Sequence, residues 1–217
     1  MLLSSFVLLL LIPAIFQGEF SSLLNRLLFT LLLIASLYLV AYRRNDLLIG
    51  VVLALPVVVT NWAPVWFTDE RSQLIAYSFF QALFLSYIIT KIAQHLFRAV
   101  RIDAEIIYAA ICLYLLMGMT WALAYIGLVY FDPGAINLKV DAAIVDRQSA
   151  SAVMHELIYF SYVTQTTLGY GDLTPASGIA RTLVMIQALA GQIYVAVIIA
   201  RLVGLQISSP GADTLQE

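Results

Sequence analysis

The chain alternates long apolar blocks with short polar intervals. A helix needs roughly 20 mainly apolar residues to cross the hydrocarbon core of a bilayer, and several blocks reach that length. Residues 2–16 are apolar but short, 23–42 are long enough if Asn25 and Arg26 reach the interface, and 47–67 carry no charge. Residues 74–97 follow, then the charge-free run 106–131, and finally 179–205, with only Arg181 near its start and Arg201 near its end. The pattern predicts six crossing helices. Intervals among the first four are short enough for tight helical hairpins, whereas 132–151 is a longer polar stretch rich in Asp, Gly and Ser. Pro56 and Pro64 predict kinks in the third segment.

The first block also has nearly the length of a signal-peptide core. No basic stretch precedes it, however, and Gln17-Gly18-Glu19 offers no small-x-small cleavage pattern. Retained as a helix, it gives an even number of crossings and puts both termini in the cytosol. Arg43, Arg44, Lys91, Arg98 and Arg101 then lie inside, while the opposite loops hold Arg26 and Arg71 beside Glu19, Asp69 and Glu70. That is the sense of the basic-residue excess on cytoplasmic loops.

Composition narrows the class. Of 217 residues, 62% are hydrophobic and 11% charged, with a mean hydropathy of +0.94. A soluble domain of this size could not hide so much apolar surface, so a polytopic membrane protein is expected. A net charge of −2 provides no basic patch for nucleic acid. Cys112 has no partner for an intrachain disulfide and is expected to be a small buried side chain. No nucleophile–base pair, metal-ligand cluster or phosphate-binding loop stands out, so neither enzyme chemistry nor a cofactor is expected.

The chemistry concentrates in residues 154–177. The stretch 154–166 is too short to cross a bilayer, yet it runs directly into Thr167-Leu168-Gly169-Tyr170-Gly171-Asp172, with aromatics at Tyr159, Phe160 and Tyr162. A site that tells one cation from another must strip the ion's water, so it needs a column of oxygen ligands to replace that water. Backbone carbonyls can supply it. Pointing successive carbonyls at one axis demands dihedrals that most residues avoid, and Gly169 and Gly171 can enter the positive-φ region without a Cβ penalty.

This Thr-x-Gly-Tyr-Gly-Asp run resembles the selectivity filter of the tetrameric potassium channel family, and the order of segments from residue 106 onward resembles that family's pore module. The resemblance implies an all-α polytopic membrane protein, with four N-terminal transmembrane helices over 1–100 and a cytosolic linker over 101–105. A two-helix pore domain over 106–205 follows: outer helix 106–131, turret 132–151, re-entrant pore helix 154–166, filter 167–172 and inner helix 179–205. Residues 206–217 make a short cytosolic tail, too few for a nucleotide-binding or calcium-sensing module.

By the same resemblance, the carbonyls of Thr167, Leu168, Gly169 and Tyr170 and the Thr167 hydroxyl hold potassium, Gly171 completes the filter, and Asp172 closes its outer end. Tyr159 and Thr166 are expected to support it. Val163 stands where some channels place a carboxylate that pairs with the aspartate, so Asp172 must find another partner, such as the Tyr159 hydroxyl. Leu168 replaces the usual Val or Ile, but its carbonyl is the functional atom. His155 and Glu156 would open the pore helix, with the acid suiting the first-turn dipole. Asp172-Leu173-Thr174-Pro175 and Arg181 also match the family pattern. Gly191 is expected as an inner-helix hinge or a close packing contact, and Gln192, Val195 and Ile199 would face the water-filled cavity.

The expected function is passive, potassium-selective conduction through a homotetramer in the cell membrane, in contact with lipid and with potassium ions as the transported species. One chain supplies one filter strand, so four must share the ligands. The runner-up is a voltage-gated potassium channel with a degenerate sensor. A steep sensor needs several basic residues inside the membrane, since one charge crossing 100 mV yields about 2.3 kcal/mol. Residues 74–90 contain no charge, and Lys91, His95, Arg98 and Arg101 come only after the apolar run, where they read as an interfacial anchor. A less selective cation channel and a non-conducting subunit that keeps a pore-like fold are further alternatives.

Overall fold

The computed structural model describes residues 19–40, 44–62, 70–100, 103–138 and 150–208. The block 2–16, Arg43, Pro64, Arg101, the turret charges between 139 and 147 and the tail from 209 lie outside the described residues. The fold is an all-α polytopic membrane fold. Its helices are α1 Glu19–Val40, α2 Arg44–Trp62, α3 Glu70–Arg98, α4 Ala104–Phe131, α5 Ala150–Gln165 and α6 Gly178–Ser208. Helices α2, α3, α4 and α6 are long and apolar enough to cross a membrane. Two short strands, β1 Ile136–Asn137 and β2 Thr174–Pro175, pair antiparallel, with Ile136 opposite Pro175 and Asn137 opposite Thr174.

Helix α4 is the central wall. α3 packs along one side of it, with α2 and α1 beyond; α5 and α6 pack on the other. Half of α4's most apolar window is buried inside the chain, against 17% of that of α6. The fully buried side chains follow this order: Phe84, Leu85 and Ile88 from α3 meet a layer of Leu113, Leu116, Leu123 and Tyr125 from α4, and Leu157 comes from α5. Helix α6 turns most of its apolar surface outward, including Met185, Leu189, Ile193 and Val197.

Polar residues fix the helix ends, where backbone groups lack helical partners. The Asp103 carboxylate accepts from the Ile106 amide at 2.9 Å and caps α4, starting it two residues before the expected boundary. At the other end of α4, Arg71 donates from Nε to the Tyr130 carbonyl (2.6 Å) and from Nη2 to that of Phe131 (3.1 Å). Lys91 pairs with Asp46 at 2.7 Å, joining α3 to the first turn of α2. Arg201 of α6 donates to the Ala99 carbonyl at 2.7 Å, just past α3, and lies 5.2 Å from the Phe97 ring centroid.

One expectation changes and two local features are added. Helix α5 begins at Ala150, so His155 and Glu156 fall in its second turn, and no acid occupies the first turn to meet the helix dipole. The polar stretch after α4 is not all loop, because β1 pins its start to the segment beyond the candidate filter: the amides of Ala176 and Ser177 both donate to Ala135, at 2.8 and 3.2 Å. Helix α2 runs on through Pro56, with the Thr60 hydroxyl donating to the Pro56 carbonyl at 2.8 Å.

The seam between α4 and α5 depends on one missing side chain. A Cβ at Gly118 would overlap the Tyr162 ring, and the Tyr162 hydroxyl donates to the Leu115 carbonyl at 2.6 Å from this groove. Gly118→Val should therefore displace α5 and destabilise the protein by about 1–3 kcal/mol, in line with overpacking of a tight core. Thermal unfolding of the purified protein in detergent reads this directly. Gly178→Ala, where an added Cβ meets nothing within 4 Å, should leave the midpoint unchanged.

Candidate ion-conduction site

Helix α5 stops at Gln165, and its last four carbonyls need partners. All four find them in the segment that follows or in α4. The Tyr162 carbonyl accepts from the Thr166 amide (3.0 Å) and hydroxyl (2.7 Å), and Val163 from the amides of Leu168 (3.0 Å) and Gly169 (3.3 Å). Thr164 accepts from the Thr167 amide at 3.0 Å, and Gln165 from the Tyr114 hydroxyl at 3.3 Å. The amides of 166–169 are thus folded back onto the helix end. Among the described residues, no hydrogen bond ends on the carbonyls of Thr167, Leu168, Gly169 or Tyr170.

Backbone handedness explains how both conditions hold at once. Thr167, Gly169 and Gly171 have φ of +58°, +53° and +77°, while Leu168 and Tyr170 between them do not have positive φ. Alternating hand lines up successive N–H groups on one side of the chain and leaves the carbonyls on the other. Glycine enters the left-handed region freely. Thr167 does not: a β-branched residue there is a genuine outlier, strained by about 1–3 kcal/mol, and such strain clusters at functional sites. Its hydroxyl donates to the Thr166 carbonyl at 2.7 Å. The result is a row of neutral oxygens with no internal partner, able to replace part of a cation's hydration shell.

Behind this row, a buried polar network joins three helices. Tyr125 of α4 donates to Gln187 Oε1 of α6 at 2.7 Å; Gln187 Nε2 donates to the Ser161 carbonyl (2.9 Å) and hydroxyl (2.8 Å) of α5; and Ser161 donates to the Gly118 carbonyl of α4 at 2.7 Å. All three side chains are fully buried. Gln165 Nε2 donates to the Tyr114 carbonyl at 2.7 Å, and Tyr114 stacks on Tyr194 at 5.8 Å. Sequence reading passed over Tyr125, Ser161, Gln165 and Gln187. The available signal was the presence of glutamines in otherwise apolar membrane segments, where polar side chains are expensive unless paired.

At the Asp172 end of the row, the Tyr159 hydroxyl donates to Asp172 Oδ2 at 2.8 Å, so these two expected residues meet. Asp172 Oδ1 also accepts from the Leu173 amide at 3.0 Å. The hydrogen bond to the carboxylate, followed by smaller contributions from burial and nearby negative charge, pushes the Tyr159 phenol up to about 12. Tyr159 therefore remains a donor at neutral pH. Val163, one helical turn beyond Tyr159, is buried and its apolar side chain offers this pair neither donor nor acceptor.

At the Thr167 end of the row, α6 is unbroken through Gly191. Instead of a break there is a close approach, because a Cβ at Gly191 would lie 2.6 Å from the Gln165 carbonyl oxygen. Gln192 Nε2 stands 3.4 Å from the Thr167 hydroxyl. Val195 and Ile199 are exposed along the same helix. Of the expected site residues, those from 159 to 172 gather around the carbonyl row with Gln192, whereas Val195 and Ile199 lie further along α6.

A family model described as an ion channel matches residues 134–205, the region from β1 to the distal part of α6. Protein LctB of Bacillus caldotenax is 30% identical over 103 residues, which is 48% of this chain and 74% of that protein. The chain belongs to an ion-channel family of the potassium-channel type. No solved structure matches it. The matched region holds the carbonyl row, its supporting helix and most of α6, so the family assignment and the unusual backbone fall on the same residues.

Gly171→Ala should distort this channel's row because alanine resists a φ of +77° by about 1 kcal/mol or more. Space is not the obstacle, since nothing lies within 4 Å of an added Cβ. The expected outcome is a loss of ion preference, read as a shift of reversal potential toward zero under unequal potassium and sodium. An unchanged preference would remove the backbone argument.

Proposed function

We propose that four copies of this chain form a potassium-selective pore that passes ions passively down their electrochemical gradient. The observation that carries the reading is the pairing of alternating backbone handedness at residues 167–171 with four carbonyls that accept no hydrogen bond from the described residues. One chain offers a single row, and a dehydrated cation needs ligands around its whole circumference, so several rows must converge. The outward-facing apolar surface of α6 supports assembly, because α6 is the least buried of the four described helices long and apolar enough to cross a membrane. Residues 132–181 carry a net −2 per chain, which would raise the local cation concentration at a shared mouth, subject to screening over about 8–10 Å in physiological salt.

In this reading the filter is Thr167 to Gly171, α5 is the re-entrant pore helix, α4 the outer helix and α6 the inner helix. Helix α3 is a strut rather than a moving sensor. Arg71 ties its outer end to α4, Lys91 ties it to α2, and Arg201 grips the turn beyond its inner end. This reading puts both termini in the cytosol and the protein in the plasma membrane.

Reversal potential in liposomes holding purified protein, between unequal potassium and sodium solutions, tests selectivity. The expected value lies near the potassium equilibrium potential, and a value near zero would indicate a nonselective pore. The strut assignment has its own test: neutralising Arg98 and Arg101 should lower expression or disturb topology while leaving the slope of activation against voltage unchanged. A large loss of gating charge would restore the sensor.

A further inference from the structure

We propose that Gln192 is a positioning residue for the innermost ion ligand, holding the Thr167 hydroxyl so that one of its lone pairs stays free for a partly dehydrated monovalent cation. The proposal rests on the reading of residues 167–171 as the potassium site and extends it to a residue outside that run.

A threonine hydroxyl has one proton and two lone pairs. The Thr167 proton goes to the Thr166 carbonyl at 2.7 Å. Gln192 Nε2 donates to the same oxygen from 3.4 Å, which occupies one lone pair and leaves the other open. The oxygen is thus held from two sides, one within its own segment and one from α6. Without the second contact the hydroxyl is restrained only by its neighbour, on a residue whose φ of +58° is already unfavourable.

The placement of Gln192 is itself determined by packing. Gly191, one residue earlier, lacks the Cβ that would strike the Gln165 carbonyl at 2.6 Å, so α6 can approach the end of α5 closely enough for the amide to reach. On the opposite side of α6, the Tyr194 hydroxyl donates to the Ala110 carbonyl at 2.7 Å and Ile198 is buried. These contacts fix the rotation of α6 and leave Gln192 exposed beside Thr167. An apolar side chain of the same length would occupy the position but donate nothing.

Single-channel conductance of the full-length protein in a planar bilayer, measured across a series of symmetrical potassium chloride concentrations, tests the role. Gln192→Met preserves length and removes the donor. It should raise the half-saturating potassium concentration about three- to tenfold, the range expected for one hydrogen bond. In a Thr167→Val background, where the hydroxyl is gone, the same substitution should add no further shift. An equal shift in both backgrounds, or none in either, overturns the proposal. If Thr167→Val does not conduct, the potassium concentration giving half-maximal protection against thermal unfolding runs the same cycle without current, with the same outcomes deciding. A wild-type reversal potential near zero would overturn the potassium reading itself. A potassium-selective wild type with an unshifted Gln192→Met would overturn only the role of Gln192.

Discussion

Every backbone N–H and C=O withdrawn from water needs a partner, and this constraint governs the structure around residues 162–171. The last turn of α5 has four carbonyls to satisfy, and the segment after it has amides to place. Each solves the other's problem, with Tyr114 supplying the remaining donor. Once the amides are committed to the helix end, alternating handedness turns the next carbonyls away from the protein with nothing to accept from. In a soluble loop water would occupy them. In a membrane-embedded site, unsatisfied oxygens are tolerated only where they line a hydrated path or meet a cation. The helix end therefore anchors the segment and does not itself provide the ligands.

That geometry is strained at Thr167, and the surrounding contacts hold it in place. The network of Tyr125, Gln187, Ser161 and the Gly118 carbonyl links α4, α5 and α6 through buried hydrogen bonds, each about 2.7–2.9 Å long. Steric contacts work alongside it. Tyr162 enters the space left at Gly118, and the Gln165 carbonyl enters the space left at Gly191. Small residues let the backbones approach, and the polar groups then select one register. The driving force between helices in lipid is packing and hydrogen bonding rather than escape from water, so this combination suits the setting.

The helices before α4 join the pore region at defined points. Arg71 meets orphan carbonyls at the C-terminal end of α4, and Arg201 meets the backbone just beyond α3. Both are guanidinium groups at helix C-termini, where the dipole favours a cation. Lys91 is held by Asp46 and stacked near the Tyr87 ring at 5.4 Å, so the basic residue closest to the apolar run of α3 is already partnered. A charge engaged in this way is poorly suited to large movement across the bilayer.

Much of this protein was legible in the order of its residues. Long apolar blocks determine helices because a membrane requires internally satisfied backbone, and the Gly-x-Gly alternation determines where left-handed φ can occur, because glycine alone enters it freely. The meeting of Tyr159 with Asp172 was also anticipated, from the apolar residue at 163. Other features were decided only by tertiary structure. Positive φ at Thr167 contradicts its local preference and exists because α5 and α6 hold the residue from both sides. At Gly191, expected as a hinge or a contact, the tertiary structure supplies a close approach of the Gln165 carbonyl. The pairing of β1 with β2 and the burial of Gln187 against Ser161 and Tyr125 depend on residues 26 to 62 positions apart finding one another. Local propensity carries no information at that range; packing does.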